Sequence, residues 1–345
     1  MAVMRRIGGA IGWTAVAVGI GLAGRKLTAR SRRPVDLTDQ VALITGGSRG
    51  LGFLLAREFG RAGCRVAICA RNDLELQRAK EELERYGIEV MTVRCDVSDR
   101  DQVEGMVREV SNRWGGVDIL VNNAGIIQVG PVQSMTIADF EQAMGVMYWG
   151  VLHPTLAVLP QMRERKNGRI VNITSIGGKV SIPHLLPYNS AKFAAVGLSE
   201  GLRAELARDG ITVTTIVPGL MRTGSHINAY FKGRQEREYT WFALGASLPV
   251  VSMDAERAAH QILEAVRRGE AERVLSVPST TLSLFHGVFP GTTSDILGIV
   301  NRILPRVSAD GTGMSRGTEV QDRMHSTVLT ALTGWGLSAA RKFQK

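Results

Sequence analysis

The chain has 345 residues, 44% of them hydrophobic and 21% charged, which is enough to bury a full core and too apolar for a disordered chain. Its formal net charge of +10 is concentrated at the ends: Arg5, Arg6, Arg25, Lys26, Arg30, Arg32 and Arg33 precede the first acidic residue, Asp36, and Arg341, Lys342 and Lys345 follow the last, Asp322. No basic stripe interleaved with aromatics lies between, so nucleic-acid binding is not expected, and the odd set Cys64, Cys69 and Cys95 sits in apolar stretches that read as reduced core thiols rather than a disulfide framework.

Residues 7–24, IGGAIGWTAVAVGIGLAG, carry no charge and as a helix would span about 27 Å against a bilayer core of about 30 Å. Gly8 and Gly12 have the spacing that lets membrane helices approach closely, although six glycines in the stretch lower its helix propensity. An uncleaved membrane anchor is the favoured reading of this segment. A cleaved signal peptide and a targeting segment without structural role are the alternatives, and a protein whose first 33 residues are cleaved or merely disordered would be soluble and cytoplasmic. Five basic residues over 25–33 against two before the stretch put the body of an anchored chain in the cytoplasm.

From Val41 onward, short β-branched runs alternate with helical patterns. Strands are expected at 41–45, 65–69, 89–95, 118–122, 169–174, 212–217 and 273–277, and helices among them at 51–61, 74–86, 102–113 and 191–208. This alternation predicts an α/β doubly wound, seven-stranded, mainly parallel sheet with helices on both faces. The chain then divides into a basic-flanked apolar segment (1–33), a catalytic domain (34–279) and a partly helical C-terminal extension (280–345). In the extension Val328, Leu329, Leu332, Trp335 and Phe343 share one helix face that ends in a basic cluster, and docking of that face on the core is preferred to a role at a membrane surface.

The first strand runs directly into TGGSRGLG (45–52), which places Gly46, Ser48, Arg49, Gly50, Leu51 and Gly52 in a turn that opens a helix. Glycines there let backbone N–H groups approach a pyrophosphate, and the helix dipole favours its charge. The second strand ends at Cys69, Ala70 and Arg71 instead of the carboxylate that binds a ribose 2′-hydroxyl. Arg71, with Arg49, suits a 2′-phosphate, so the expected cofactor is NADP(H) rather than NAD(H).

Tyr188 and Lys192 stand four residues apart at the start of a helix and project from one face. With TGGSRGLG, Asp96-Val97, Asn122-Asn123-Ala124-Gly125, Ser175, Tyr188-x-x-x-Lys192 and Pro218-Gly219 in order, residues 38–278 resemble the short-chain dehydrogenase/reductase family. The resemblance implies a Rossmann-like fold and an NADP(H)-dependent oxidoreductase acting on a carbonyl or alcohol carbon. It implies that Asp96 and Val97 contact the adenine, that Asn123, Ala124 and Gly125 line the cofactor, and that Pro218, Gly219 and Thr223 flank the carboxamide. Tyr188 is the expected proton donor, Lys192 lowers its pKa and holds the ribose hydroxyls, and Ser175 hydrogen-bonds the substrate oxygen. A dimer or tetramer through the helices around 146–164 and 190–208 is implied on the same footing.

One position departs from the family pattern. Met147 in MYWGV stands where an asparagine commonly helps hold a water that links the lysine to solvent. A non-catalytic NADP(H)-binding scaffold or sensor is therefore the alternative to the enzyme.

Tyr230, Phe231, Tyr239, Trp241 and Phe242 cluster in the region that caps the substrate in this family. They suggest a lipophilic ketone, aldehyde or alcohol as substrate, with a packing or dimer surface as the plainer reading. His153, His184, His226, His260, His286 and His325 lack ligand spacing, so no metal site is expected, and Ser175 lies in ITSIG rather than a GxSxG elbow, which argues against a hydrolase.

Overall fold

The computed structural model describes residues 33–248, 252–306 and 313–324, together with Ser338 and Phe343. The expected anchor at 7–24 and the face carrying Val328, Leu329, Leu332 and Trp335 lie outside the described residues. Among the described residues no helix is long and apolar enough to cross a membrane, so the transmembrane-helix expectation has no support there.

Seven strands form one parallel sheet: β1 (Val41–Thr45), β2 (Arg65–Ala70), β3 (Val90–Arg94), β4 (Ile119–Asn122), β5 (Gly168–Ile173), β6 (Ile211–Pro218) and β7 (Glu272–Leu275). They are ordered β7-β6-β5-β4-β1-β2-β3, and every neighbouring pair runs parallel. This is the doubly wound α/β sheet expected from the alternation of strand and helix patterns, with its switch point between β1 and β4. Crossover helices α1 (Gly50–Arg61), α2 (Asp73–Arg85), α3 (Arg100–Trp114), α4 (Ile137–Met144), α5 (Gly150–Arg165), α6 (Leu186–Leu206), α7 (Gln235–Ser247) and α8 (Ala255–Arg267) accompany it.

Strand periodicity divides the core. Ala42 and Ile44 of β1 pack with Leu54, Phe59, Leu83, Ile262 and Val266 from α1, α2 and α8 on one face. Val41 and Leu43 point the other way, to Met106, Val110, Val158 and Met162 from α3 and α5. Phe343 is buried in the first of these cores. The three cysteines are free and buried.

Local chemistry explains where elements begin and end. The Asn72 side chain accepts from the N–H groups of Leu74 and Glu75 to start α2, and Asp99 does the same for Asp101 and Gln102 at α3. The strand expected to reach residue 277 stops at Leu275, because Ser276 takes φ 79° and turns the chain into a helix, α9 (Val277–Val288). The helix expected from residue 191 starts at Leu186, with Pro187 in its first turn where no N–H is needed. After α9 come α10 (Pro290–Asn301) and α11 (Gly317–Arg323). Ser315–Arg316 pairs antiparallel with Tyr230–Phe231, so the C-terminal extension returns to the body of the molecule.

Candidate active site

At the carboxyl ends of the strands lies a cavity of 1010 Å³. Every site residue expected from the sequence lines it: Gly46, Ser48, Arg49, Gly50, Leu51, Gly52, Arg71, Asp96, Val97, Asn123, Ala124, Gly125, Ser175, Tyr188, Lys192, Pro218, Gly219 and Thr223.

The turn after β1 requires its glycines. Gly46 sits at φ 63°, and a Cβ on it would meet the Ala124 Cα at 2.9 Å; a Cβ on Gly52 would collide with the Gly46 carbonyl. Asn123 holds the turn from the β4 side, its Nδ2 donating to the carbonyls of Thr45 and Gly46 at 3.0 and 3.1 Å. The Thr45 hydroxyl in return accepts from the N–H groups of Asn123 and Ala124. Asn122 points into the sheet, donating to Asn172 Oδ1 at 2.9 Å.

At the far end of the turn Arg49 pairs with Glu75 at 2.9 Å, and the Ser48 hydroxyl donates to the same carboxylate at 3.1 Å. Arg71 stands 3.8 Å from Asp96, whose other oxygen accepts from the backbone and hydroxyl of Ser98. Burial draws the Arg49 pKa down; Glu75 opposes this, and the nearby guanidiniums of Arg316 and Arg71 reinforce it. Arg316 comes from the C-terminal extension and also lines the cavity, with its Nε buried and unpaired.

Ser175 follows β5, while Tyr188 and Lys192 lie in the first two turns of α6. The Ser175 and Tyr188 hydroxyls hydrogen-bond each other. Lys192 Nζ donates to the Ile173 carbonyl at 2.8 Å and lies 5.9 Å from the centre of the Tyr188 ring. Burial raises the Tyr188 pKa, against the Ser175 hydrogen bond, and pulls Lys192 down to about 8. Gly219 abuts the Ser279 hydroxyl, and the Thr223 hydroxyl accepts from Ser225 N–H at 3.3 Å.

The aromatic cluster divides. Tyr230, Trp241 and Phe242 line the cavity, whereas Phe231 and Tyr239 are core residues packed edge to face. Sequence reasoning missed what fixes this wall: Glu238, wholly buried, accepts from His184 Nδ1 at 2.9 Å and from Trp241 Nε1 at 2.7 Å. That carboxylate ties α7 to the loop before α6, where Ile182 and Leu185 also face the cavity. Glu75 and Arg316 were missed as well; their partners are remote in sequence, and no local spacing marks them. Met147 is fully buried in the π-turn Gly145–Trp149 between α4 and α5, with its sulfur against Gly125.

A family model described as short chain dehydrogenase matches residues 40–231. A dehydrogenase/reductase SDR family protein 7-like from Anopheles gambiae is 38% identical over 251 residues, 71% of this chain and 77% of the relative. A putative ketoacyl reductase from Streptomyces coelicolor is 40% identical over 186 residues, 53% of this chain and 71% of the relative. Bovine (Bos taurus) 3-ketodihydrosphingosine reductase is 35% identical over 193 residues, 54% of this chain and 58% of the relative. Among solved structures, a short-chain dehydrogenase from Streptomyces avermitilis superposes with TM-score 0.66 at 29% identity, covering 76% of this chain and 98% of that one. A variant actinorhodin polyketide ketoreductase with NADPH gives 0.60 at 30% identity, covering 69% and 95%. With the motifs assembled around one cavity and the family model covering more than half of its length, this chain belongs to the short chain dehydrogenase family and is an oxidoreductase of the kind that binds a nicotinamide cofactor.

Proposed function

We propose that the chain is an NADP(H)-dependent reductase of lipophilic ketones or aldehydes, with Ser175, Tyr188 and Lys192 as its catalytic residues. One observation carries the reading: the linked hydroxyls of Ser175 and Tyr188 and the buried ammonium of Lys192 open onto the same cavity as the glycine turn. The cradle fits a dinucleotide, since the turn leaves no room for a Cβ at Gly46 or Gly52 and offers a helix N-terminus for a pyrophosphate. Arg49, Arg71 and Arg316 supply guanidiniums, and the end of β2 carries Arg71 in place of a carboxylate, so a 2′-phosphate is favoured over a free 2′-hydroxyl. Glu75 holds Arg49 in reach of that position.

The bound cofactor supplies a hydride. Tyr188 holds the proton that the carbonyl oxygen takes up, and burial keeps that phenol protonated at neutral pH, which suits it to reduction. Lys192 stabilises the phenolate left behind, and Ser175 orients the substrate oxygen by hydrogen bonding. Tyr230, Trp241 and Phe242 give the cavity an aromatic wall suited to an apolar substrate. The printed names of the ketoacyl and 3-ketodihydrosphingosine reductases point to ketones on acyl chains. The uncharged stretch 7–24 would tether the body to the cytoplasmic side of a membrane.

Turnover of NADPH against a panel of lipophilic ketones and aldehydes tests the reading. Consumption that depends on the ketone, exceeds that with NADH and vanishes in Tyr188→Phe is expected. Tight NADPH binding without turnover would favour a nucleotide-binding scaffold, the reading that the buried thioether of Met147 motivates.

A further inference from the structure

Helices α9 and α10 form a hairpin outside the sheet, and their pattern of burial is inverted. In both helices together the buried residues are Ser279 and Thr293, two hydroxyls. The large apolar side chains face outward: Leu284 is 67% exposed, Val288 68%, Ile299 62% and Ile303 83%, with Phe285 and Phe289 exposed beside them. Between residues 276 and 301 the only charged residue is Asp295. A helix at a water surface carries its apolar stripe inward, so this face is built to be covered.

We propose that this apolar face docks into the surface of a lipid bilayer, as a second attachment beside any span by residues 7–24. Three observations favour lipid as the cover. First, 32 residues precede the described part of the chain, which is tied down where Val35 N–H donates to the Arg267 carbonyl. If residues 7–24 are held in a bilayer, residues 25–34 reach about 30 Å when extended, far enough for the hairpin to rest on the same surface. Second, exposed Arg302 and Arg306 border the face, and five more basic residues lie over 25–33, a distribution that complements anionic headgroups. Third, the inner side of α9 is a wall of the cavity, through Pro278, Ser279 and Leu282, so docking would bring the mouth of the cavity to the lipid. A second copy of the chain is the poorer occupant. An interface between proteins carries roughly one hydrogen bond per 100–200 Å², and the exposed polar side chains of the two helices, Thr281, Thr292, Ser294, Asp295 and Asn301, are outnumbered by the exposed apolar ones.

The test uses the full chain with Val288→Cys or Ile299→Cys, each carrying an environment-sensitive fluorophore; the native thiols are buried, so labelling is confined to the new one. Vesicles of phosphatidylcholine and phosphatidylglycerol are expected to shift the emission of both probes to the blue. Nitroxides on the acyl chains should then quench them, and iodide in the water should not. Probes that stay open to iodide on vesicle-bound protein would overturn the proposal. So would shielding that appears without vesicles as protein concentration rises, which would identify a second copy as the cover. Neither result depends on turnover, so failure here leaves the reductase reading intact.

Discussion

Lys192 enters the cavity as a buried ammonium, and burial alone draws its pKa from 10.5 to about 8. Its protonated form is the one that stabilises a phenolate, so kcat/KM for carbonyl reduction is predicted to fall as pH rises through about 8, read from a pH–rate profile. The same shift has a consequence for stability. Below about pH 8 both folded and unfolded chains hold the proton and the folded state bears the full burden of a buried charge. Between about 8 and 10.5 the folded chain releases it first, so this group makes the cofactor-free protein more stable as pH rises through that window. Lys192→Met is accordingly expected to abolish turnover yet raise the Tm of the cofactor-free protein at neutral pH, with the gain shrinking as pH approaches 10.5. An unchanged or lower Tm would contradict the burial argument. At the other end of the cavity, Arg71→Ala is expected to weaken NADPH binding by about tenfold and leave NADH binding unchanged, as loss of one charge-assisted contact implies. Equal losses for both cofactors, measured by titration, would count against a 2′-phosphate site. Tyr188 and Lys192 were legible because four-residue spacing on a helix is a local signal. Glu75 was not, since its contact with Arg49 closes over 26 residues.

Helix α7 is fastened to the loop before α6 by a carboxylate with no exposure to water, and one of its two partners, Trp241, lines the cavity. Glu238→Ala leaves His184 and the Trp241 indole without their acceptor and is predicted to cost about 1–3 kcal/mol for each buried donor left unsatisfied. A thermal melt within experimental error of wild type would remove that fastening from the account. At Met147, an Asn side chain would face Gly125 from within the π-turn; without a water to bind, an added buried amide is expected to lower stability by about 1–3 kcal/mol. Strands and most helices at this scale were legible from periods of two and 3.6, and the seven expected strands are the seven of the parallel sheet. The end of β7 was not, because a positive φ at Ser276 is set by the packing of the turn and not by any run of residues. The α9–α10 hairpin was missed for a related reason: its apolar residues face outward, so periodicity could not show which side meets the protein.

For the whole molecule, the sheet order and the two cores follow from alternation along each strand, which is why the fold was readable from the sequence. The relation of the C-terminal extension to the cavity was not readable, since Arg316 arrives beside Arg49 through pairing of Ser315–Arg316 with Tyr230–Phe231, far away in the chain. Membrane attachment belongs to this scale too: the full chain is predicted to sediment with membranes, and removal of residues 1–33 to weaken that association without abolishing it, since the hairpin remains. Complete release of the truncated protein, measured by vesicle flotation, would leave residues 7–24 as the whole of the attachment. The central claim is that this cavity transfers a hydride to a carbonyl carbon under control of Tyr188. It is tested most directly by incubating the full chain with NADPH deuterated at the transferable position and a lipophilic ketone, then weighing the alcohol product. The account predicts deuterium at the carbinol carbon with wild type and none with Tyr188→Phe; labelled alcohol from both proteins, or from neither although NADPH binds, would contradict it.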